Sequence, residues 1–201
     1  MSLTLDLPLQ TRSAPISSVD PASRTATLVW TSGARVRRYD WIRGRHFFEE
    51  LSLAPESVRL GRLQNGAPLL NSHRSGDLNA VIGVVESAQL HGSQGTAKIR
   101  FSDRADVQPI LHDVLDGILR NVSQGYVVHE LAELPPDETS AGLPIYRALD
   151  WEPYELSLVP IGADAGAQIR SEDSRTFPCI FRSPNTMNTP TKQATTEPVQ
   201  T

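Results

Sequence analysis

Asn121-Val122-Ser123-Gln124-Gly125-Tyr126-Val127-Val128 is the stretch around which the rest of the chain is organised. Upstream, Val107, Ile110, Leu111, Val114, Leu115 and Ile118 recur at the i, i+3, i+4, i+7 spacing of an amphipathic helix, capped at or near Asp103 and ending near Gly117. Downstream, a strand-like run leaves from Val122 to about Leu134. This reading sets Ser123 at the joint of two rigid elements, beside a glycine that lets backbone come close to a ligand. A serine so placed is a nucleophile if a neighbour takes its proton. It is equally the composition of a turn, and N-V-S-Q-G is not the G-x-S-x-G elbow.

Working outward, the segments before the helix read as strands. Thr25 to Tyr39 has the pattern of a hairpin turning through Thr31-Ser32-Gly33, with Arg35 and Arg37 on a solvated face. His46 to Leu51 fits either a strand or a helix, and Pro55 to Leu63 a short helix stopped by Gly66. Pro68-Leu69-Leu70 leads into Asn71-Ser72-His73 and a polar loop. Ala80 to Leu90 and Thr96 to Phe101 form a second hairpin, in whose return strand Ala97, Ile99 and Phe101 alternate with Thr96, Lys98 and Arg100. After the loop at Pro135 to Gly142, two more strands are expected, Ile145 to Trp151 and Tyr154 to Ile161, broken by Glu152-Pro153. The pattern is that of a mainly β protein with helices: an N-terminal arm over 1–24, a domain over 25–182, and a disordered tail over 183–201 that is rich in Thr, Pro, Gln and Asn.

Composition narrows the function. A net charge of −4 over 201 residues argues against a nucleic-acid binder that relies on a basic field. One cysteine, Cys179, excludes an intrachain disulfide and reads as a small buried hydrophobe. Met1 to Leu9 lacks the cationic start and apolar run of a secretory signal, and no segment approaches the ~20 apolar residues of a membrane span. A cytoplasmic protein with no membrane partner is the expectation.

Of the five histidines, His112 falls on the polar side of the helix, His91 in a hairpin turn, and His46 beside two phenylalanines. His129 shares a strand face with Ser123 but lies roughly 20 Å along it. His73, at the end of an apolar strand and the start of a loop, is either a base for Ser123 or an ordinary loop histidine. Glu155, in Tyr154-Glu155-Leu156-Ser157-Leu158-Val159-Pro160, either faces solvent or sits inside, where an acid needs a partner such as a histidine N–H. No H-E-x-x-H or paired-cysteine spacing occurs, so neither a metal nor a cofactor is expected.

Taken together, Gly66 to His73, Ile82-Gly83-Val84-Val85, Val122 to Tyr126, Glu155 to Pro160 and Ala163-Asp164-Ala165-Gly166-Ala167 occur in an order that resembles the tailed-phage prohead (capsid maturation) proteases of the HK97 type. The resemblance covers roughly Leu28 to Arg170. It implies a small closed β-barrel flanked by helices, similar to herpesvirus assemblin proteases. It also implies a serine endopeptidase that cleaves scaffold and major capsid protein, and itself, inside an assembling prohead in the host cytoplasm. Ser123 would match the nucleophile, His73 the base and Glu155 the orienting acid, with Asp77, Asp150 and Glu152 as other candidates for the last role. Backbone N–H groups near Gln124-Gly125, or Arg120 or Arg147, would serve the oxyanion. Two departures from the family pattern stand out: Arg74 follows the histidine, and Gln124 separates serine from glycine. The other reading of the same residues is a non-catalytic β-barrel assembly module that binds capsid or scaffold subunits.

Overall fold

The computed structural model describes residues 2–8, 10–160 and 176–183. The tail beyond 183 and the Ala163–Ala167 motif lie outside them. Strands β1 (Ser2–Pro8), β2 (Gln10–Asp20), β3 (Thr25–Thr31), β4 (Val36–Asp40), β5 (Arg45–Leu51), β6 (Pro68–Asn71), β7 (Val81–His91), β8 (Gln94–Phe101), β9 (Asn121–Leu134), β10 (Ile145–Val159) and β11 (Thr176–Arg182) form one sheet. Its order is β1-β11-β9-β2-β3-β8-β7-β6-β10-β5-β4. The β5–β10, β6–β10 and β9–β11 ladders are parallel and the others antiparallel. β9 and β10 stand far apart in that order yet also pair with each other, so the sheet curls over and its inner face becomes the core.

This corrects the expected small closed β-barrel flanked by helices. In its place stands an eleven-stranded mixed sheet running out to edge strands β1 and β4. Only two short helices accompany it among the described residues, α1 (Gly61–Gln64) and α2 (Gln108–Leu115), besides 3-10 turns at Pro55–Ser57 and Leu78–Ala80.

Several local expectations shift for identifiable reasons. β3 and β4 exist but do not pair with each other. β3 lies between β2 and β8, and β4 instead makes a hairpin with β5 that turns through 41–44. The ambiguous run from His46 is therefore a strand, recruited by β4 on one side and β10 on the other. Pro153 does not break its strand: β10 runs through it, absorbing the proline at register shifts between Ala148 and Glu155. α2 is shorter than its apolar periodicity. Gly117 takes φ +69°, and the Gly117 and Ile118 amides bond back to the Val114 and Asp113 carbonyls. That pair of bonds is a Schellman stop. It leaves Leu115 and Ile118 exposed, while Leu111 and Val114 stay buried. Asp103 pairs with Arg24 instead of capping α2.

The second hairpin, β7 and β8, buries Ala97, Ile99 and Phe101 and exposes Lys98 and Arg100, as period two requires. Trp30, Trp151 and Tyr126 are fully buried and meet near the centre of the core, with ring centroids 6.0 Å (Trp30–Trp151) and 5.8 Å (Tyr126–Trp151) apart. Gly95 exists for this packing, since a Cβ there would lie 2.5 Å from the Trp30 ring. Cys179 is buried, and burial pushes its thiol up to about 12.

Two measurements check the packing. Gly95→Ala should cost about 1–3 kcal/mol in denaturant unfolding, the usual toll of overpacking, whereas Gly61→Ala, with nothing near its Cβ in α1, should be neutral or add about 0.4–1 kcal/mol. Cys179 should resist alkylation near neutral pH in the native protein and react once it is unfolded; rapid native labelling would contradict its burial.

Candidate functional site

The polar centre is built where β6, β9 and β10 run side by side. Glu155 and Ser157 project to one face of β10 by strand alternation, and the register sets them opposite Gly125 and Ser123 of β9. A carboxylate fits there because residue 125 has no side chain: a Cβ on Gly125 would collide with Glu155 Oε1. β6 runs parallel to β10 and ends at Asn71, and the chain then turns sharply, Ser72 and His73 having φ of 57° and 60°. This left-handed pair is costly for non-glycine residues, and it directs the His73 imidazole back over β10.

The result is a closed ring of hydrogen bonds. His73 Nδ1 lies 2.6 Å from Glu155 Oε1, the Ser157 hydroxyl donates to Glu155 Oε2 at 2.6 Å, and the His73 amide donates to Ser157 Oγ at 3.1 Å. Glu155 is 1 % exposed, and the His73 side chain 6 %. Both carboxylate oxygens are satisfied, which is the condition for keeping such a group inside.

Two polar atoms beside this ring remain unmet among the described residues, His73 Nε2 and Ser123 Oγ. Ser123 does not sit at the joint of helix and strand. It lies inside β9, fully buried, opposite Ser157 of β10 on one side and with Ser13 of β2 as its register partner on the other. Chemically, a carboxylate that holds one ring nitrogen leaves the other able to take a proton. Here that nitrogen and the serine hydroxyl are not hydrogen-bonded to each other, and both are shut away from solvent.

Glu155, and none of the other acids considered, is the partner of His73. Asp77 caps the 3-10 turn through the Asn79 amide, Asp150 pairs with Arg59, and Glu152 pairs with Arg62 and lies 3.8 Å from His129 Nε2. His46, His91 and His112 are exposed, at the β4–β5 ladder, the β7–β8 turn and α2. Arg120 bonds to the Gly117 carbonyl and Arg147 to Glu50, so neither faces Ser123. Ser157 had no role in the reading of the sequence. Its position two residues past Glu155, on the same strand face, is the signal that could have found it.

A second buried polar cluster lies on the opposite face of β9, where Tyr126 alternates with Gly125. Tyr126 OH donates to Glu49 at 2.7 Å and accepts from Arg38 at 2.8 Å, and Arg38 pairs with Glu49 directly. Burial is the strongest single influence on the Arg38 guanidinium and acts to lower it, but the charge and hydrogen bonds of Glu49 and Tyr126 together outweigh it and the net shift is upward. No group of three or more His, Cys, Asp or Glu side chains suited to a metal occurs among the described residues.

No family model matches the chain, and no solved structure matches it. Among curated proteins, a major capsid protein of Halomonas phage phiHAP-1 is 35 % identical over 136 residues, which is 67 % of this chain and 22 % of that protein. The chain thus spans about a fifth of the length of the relative it matches. This finding corrects the resemblance to HK97-type prohead proteases. The similar protein is named as a capsid protein, not a protease. With that resemblance go the serine endopeptidase activity and the picture of scaffold and major capsid protein as substrates.

The geometry separates the two serines. Ser157→Ala would strip a partner from Glu155 and from the His73 amide, and should cost about 1–3 kcal/mol. Ser123→Ala removes a hydroxyl that bonds nothing, and should change stability by no more than about 1 kcal/mol, in either direction. Urea unfolding of both variants checks the pair; equal losses would show that Ser123 is held by a bond as Ser157 is.

Proposed function

We propose that this chain is a capsid component, a non-catalytic β-sheet module that assembles with the shell subunits of a phage head. The observation that carries this reading is the 35 % identity to a major capsid protein over two-thirds of the chain. The phage particle, built up in its host cell, is the location that follows. In this reading His73, Ser123 and Glu155 form an internal polar pin that holds β6, β9 and β10 in register, and perform no chemistry.

The surface supports the same reading. The β4–β5 hairpin carries Trp41 and Ile42 at its tip, 76 % and 74 % exposed, side by side and beyond the body of the sheet. Large apolar side chains held out on a tight turn suit insertion into a neighbour, since aromatic anchors dominate protein interfaces. Arg43 is fixed behind them by Asp40, which also accepts the Ile42 and Arg43 amides, so the tip is ordered before it meets a partner.

Co-expression with phage head subunits, followed by gradient sedimentation, tests the proposal. The chain should travel with the particles, and Trp41→Ala combined with Ile42→Ala should reduce its incorporation at least about tenfold, the effect of losing about 1.4 kcal/mol or more of contact. A chain that never sediments with shell subunits would overturn the assembly role. Labelling of Ser123 by a fluorophosphonate in the native protein, absent from Ser123→Ala, would overturn the non-catalytic one.

A further inference from the structure

The N-terminal arm is laddered to the sheet along one side. β1 pairs with β11 through seven register positions, Ser2 with Arg182 to Pro8 with Thr176, and among the described residues it is an edge strand with no ladder on its far side. Residues 10–15 of β2 pair with Tyr126 to Asn121 of β9 through six more. β2 then changes partner: from Ile16 onward it pairs with β3 instead, with a register shift between Ile16 and Ser18. So among the described residues no stretch of 2–15 is laddered on both sides.

Burial tells the same story. None of the described side chains from Ser2 to Gln10 is buried; Leu5 and Leu7 reach the core only as half-buried neighbours. β9 and β10, by contrast, are buried through most of their length. Among the described residues, the arm's ladders run along one side, Leu5 and Leu7 touch the core while half-buried, and a bulged segment at Ile16–Ser18, just after Pro15, joins the arm to the rest of β2. Beneath it lies the edge of β9, including the Ser123 segment.

We propose that residues 2–15 form an exchangeable arm, donated to the β9 and β11 edge of a second copy of this chain. A second copy is the occupant because the arm already carries the register that β9 and β11 accept, and another copy presents the same edge. Main-chain ladders reform between chains at nearly no cost in contacts, and the bulge supplies the turn point, so exchange converts an intrachain ladder into a link between subunits. Repeated around a shell, such links tie each subunit to its neighbour. This deepens the capsid reading and rests on it.

Cysteine pairs across the β1–β11 ladder give the test. Thr4 and Ile180 are register partners, and both are exposed. Chains carrying Thr4→Cys are mixed with chains carrying Ile180→Cys, incubated, oxidised and run without reductant. Exchange predicts a disulfide-linked heterodimer several-fold more abundant than the homodimers of either variant alone, and rising with protein concentration. Ser2→Cys with Arg182→Cys, the outermost pair on the same face, repeats the measurement should the first pair disturb folding. The inference fails if mixed chains cross-link no better than each alone while the Thr4→Cys/Ile180→Cys double variant closes only within one chain. Sedimentation with head subunits is read on the same samples. Co-sedimentation without interchain links would sink the exchange and leave the capsid role standing; loss of co-sedimentation would sink the role itself.

Discussion

The structure depends on one ladder, the antiparallel pairing of β9 with β10. It runs through thirteen register positions, from Ile145 with Leu134 to Val159 with Asn121. Each of the two strands also serves neighbours on its other side: β2 and β11 along β9, β5 and β6 along β10. Their shared ladder sets two distant parts of the sheet side by side and gives the sheet an inner face. A strand with ladders on both sides and apolar packing over it cannot fray alone, so it is stabilised by nearly everything around it. The irregularities between Ala148 and Glu155 belong to this function, because bulges increase local twist and let a long strand bend around a core.

Two buried polar clusters pin this ladder from different positions along it. Glu155 and Ser157 sit opposite Gly125 and Ser123, while Tyr126, next on β9, projects to the other face and meets Glu49 and Arg38. A slip of one residue would turn both clusters to the wrong faces and leave an unpaired carboxylate buried in each, a penalty of several kcal/mol apiece. Apolar side chains are far more tolerant of such a slip, because Val, Leu and Ile substitute for one another at modest cost. Satisfied polar groups thus specify the register that apolar burial stabilises.

What was legible in the sequence follows from how local each signal is. The alternation in Thr96 to Phe101 depends only on neighbours two apart, and the strand it implied is present with the burial it implied. The pairing of β3 with β2 and β8 was invisible, because a two-strand pattern looks the same whichever strand lies beside it. Pro153 misled because proline breaks a strand only where its missing N–H was needed, and a bulge removes that need. The meeting of His73 with Glu155 was legible as an acid in an apolar strand needing a donor. The helix end near Gly117 was legible, and the left-handed φ of that glycine makes the stop; the burial of Ser123 within β9 was not, because β2 and β10, which flank it, are distant in sequence.

Residue types alone do not separate a reactive centre from a structural one, and the polar centre shows why. A histidine held by a carboxylate is a way to orient a base, and equally a way to satisfy a buried acid while fastening a turn to a strand. Here the fastening is explicit, since the Ser72–His73 turn reaches β10 three times: through the His73 amide to Ser157, through the His73 ring to Glu155, and through the Ser72 amide to the Leu158 carbonyl. Those bonds hold a two-residue left-handed turn that would otherwise relax at the cost of the β6–β10 ladder. Ser123 sits where β2, β9 and β10 lie together, so backbone flanks it on both sides.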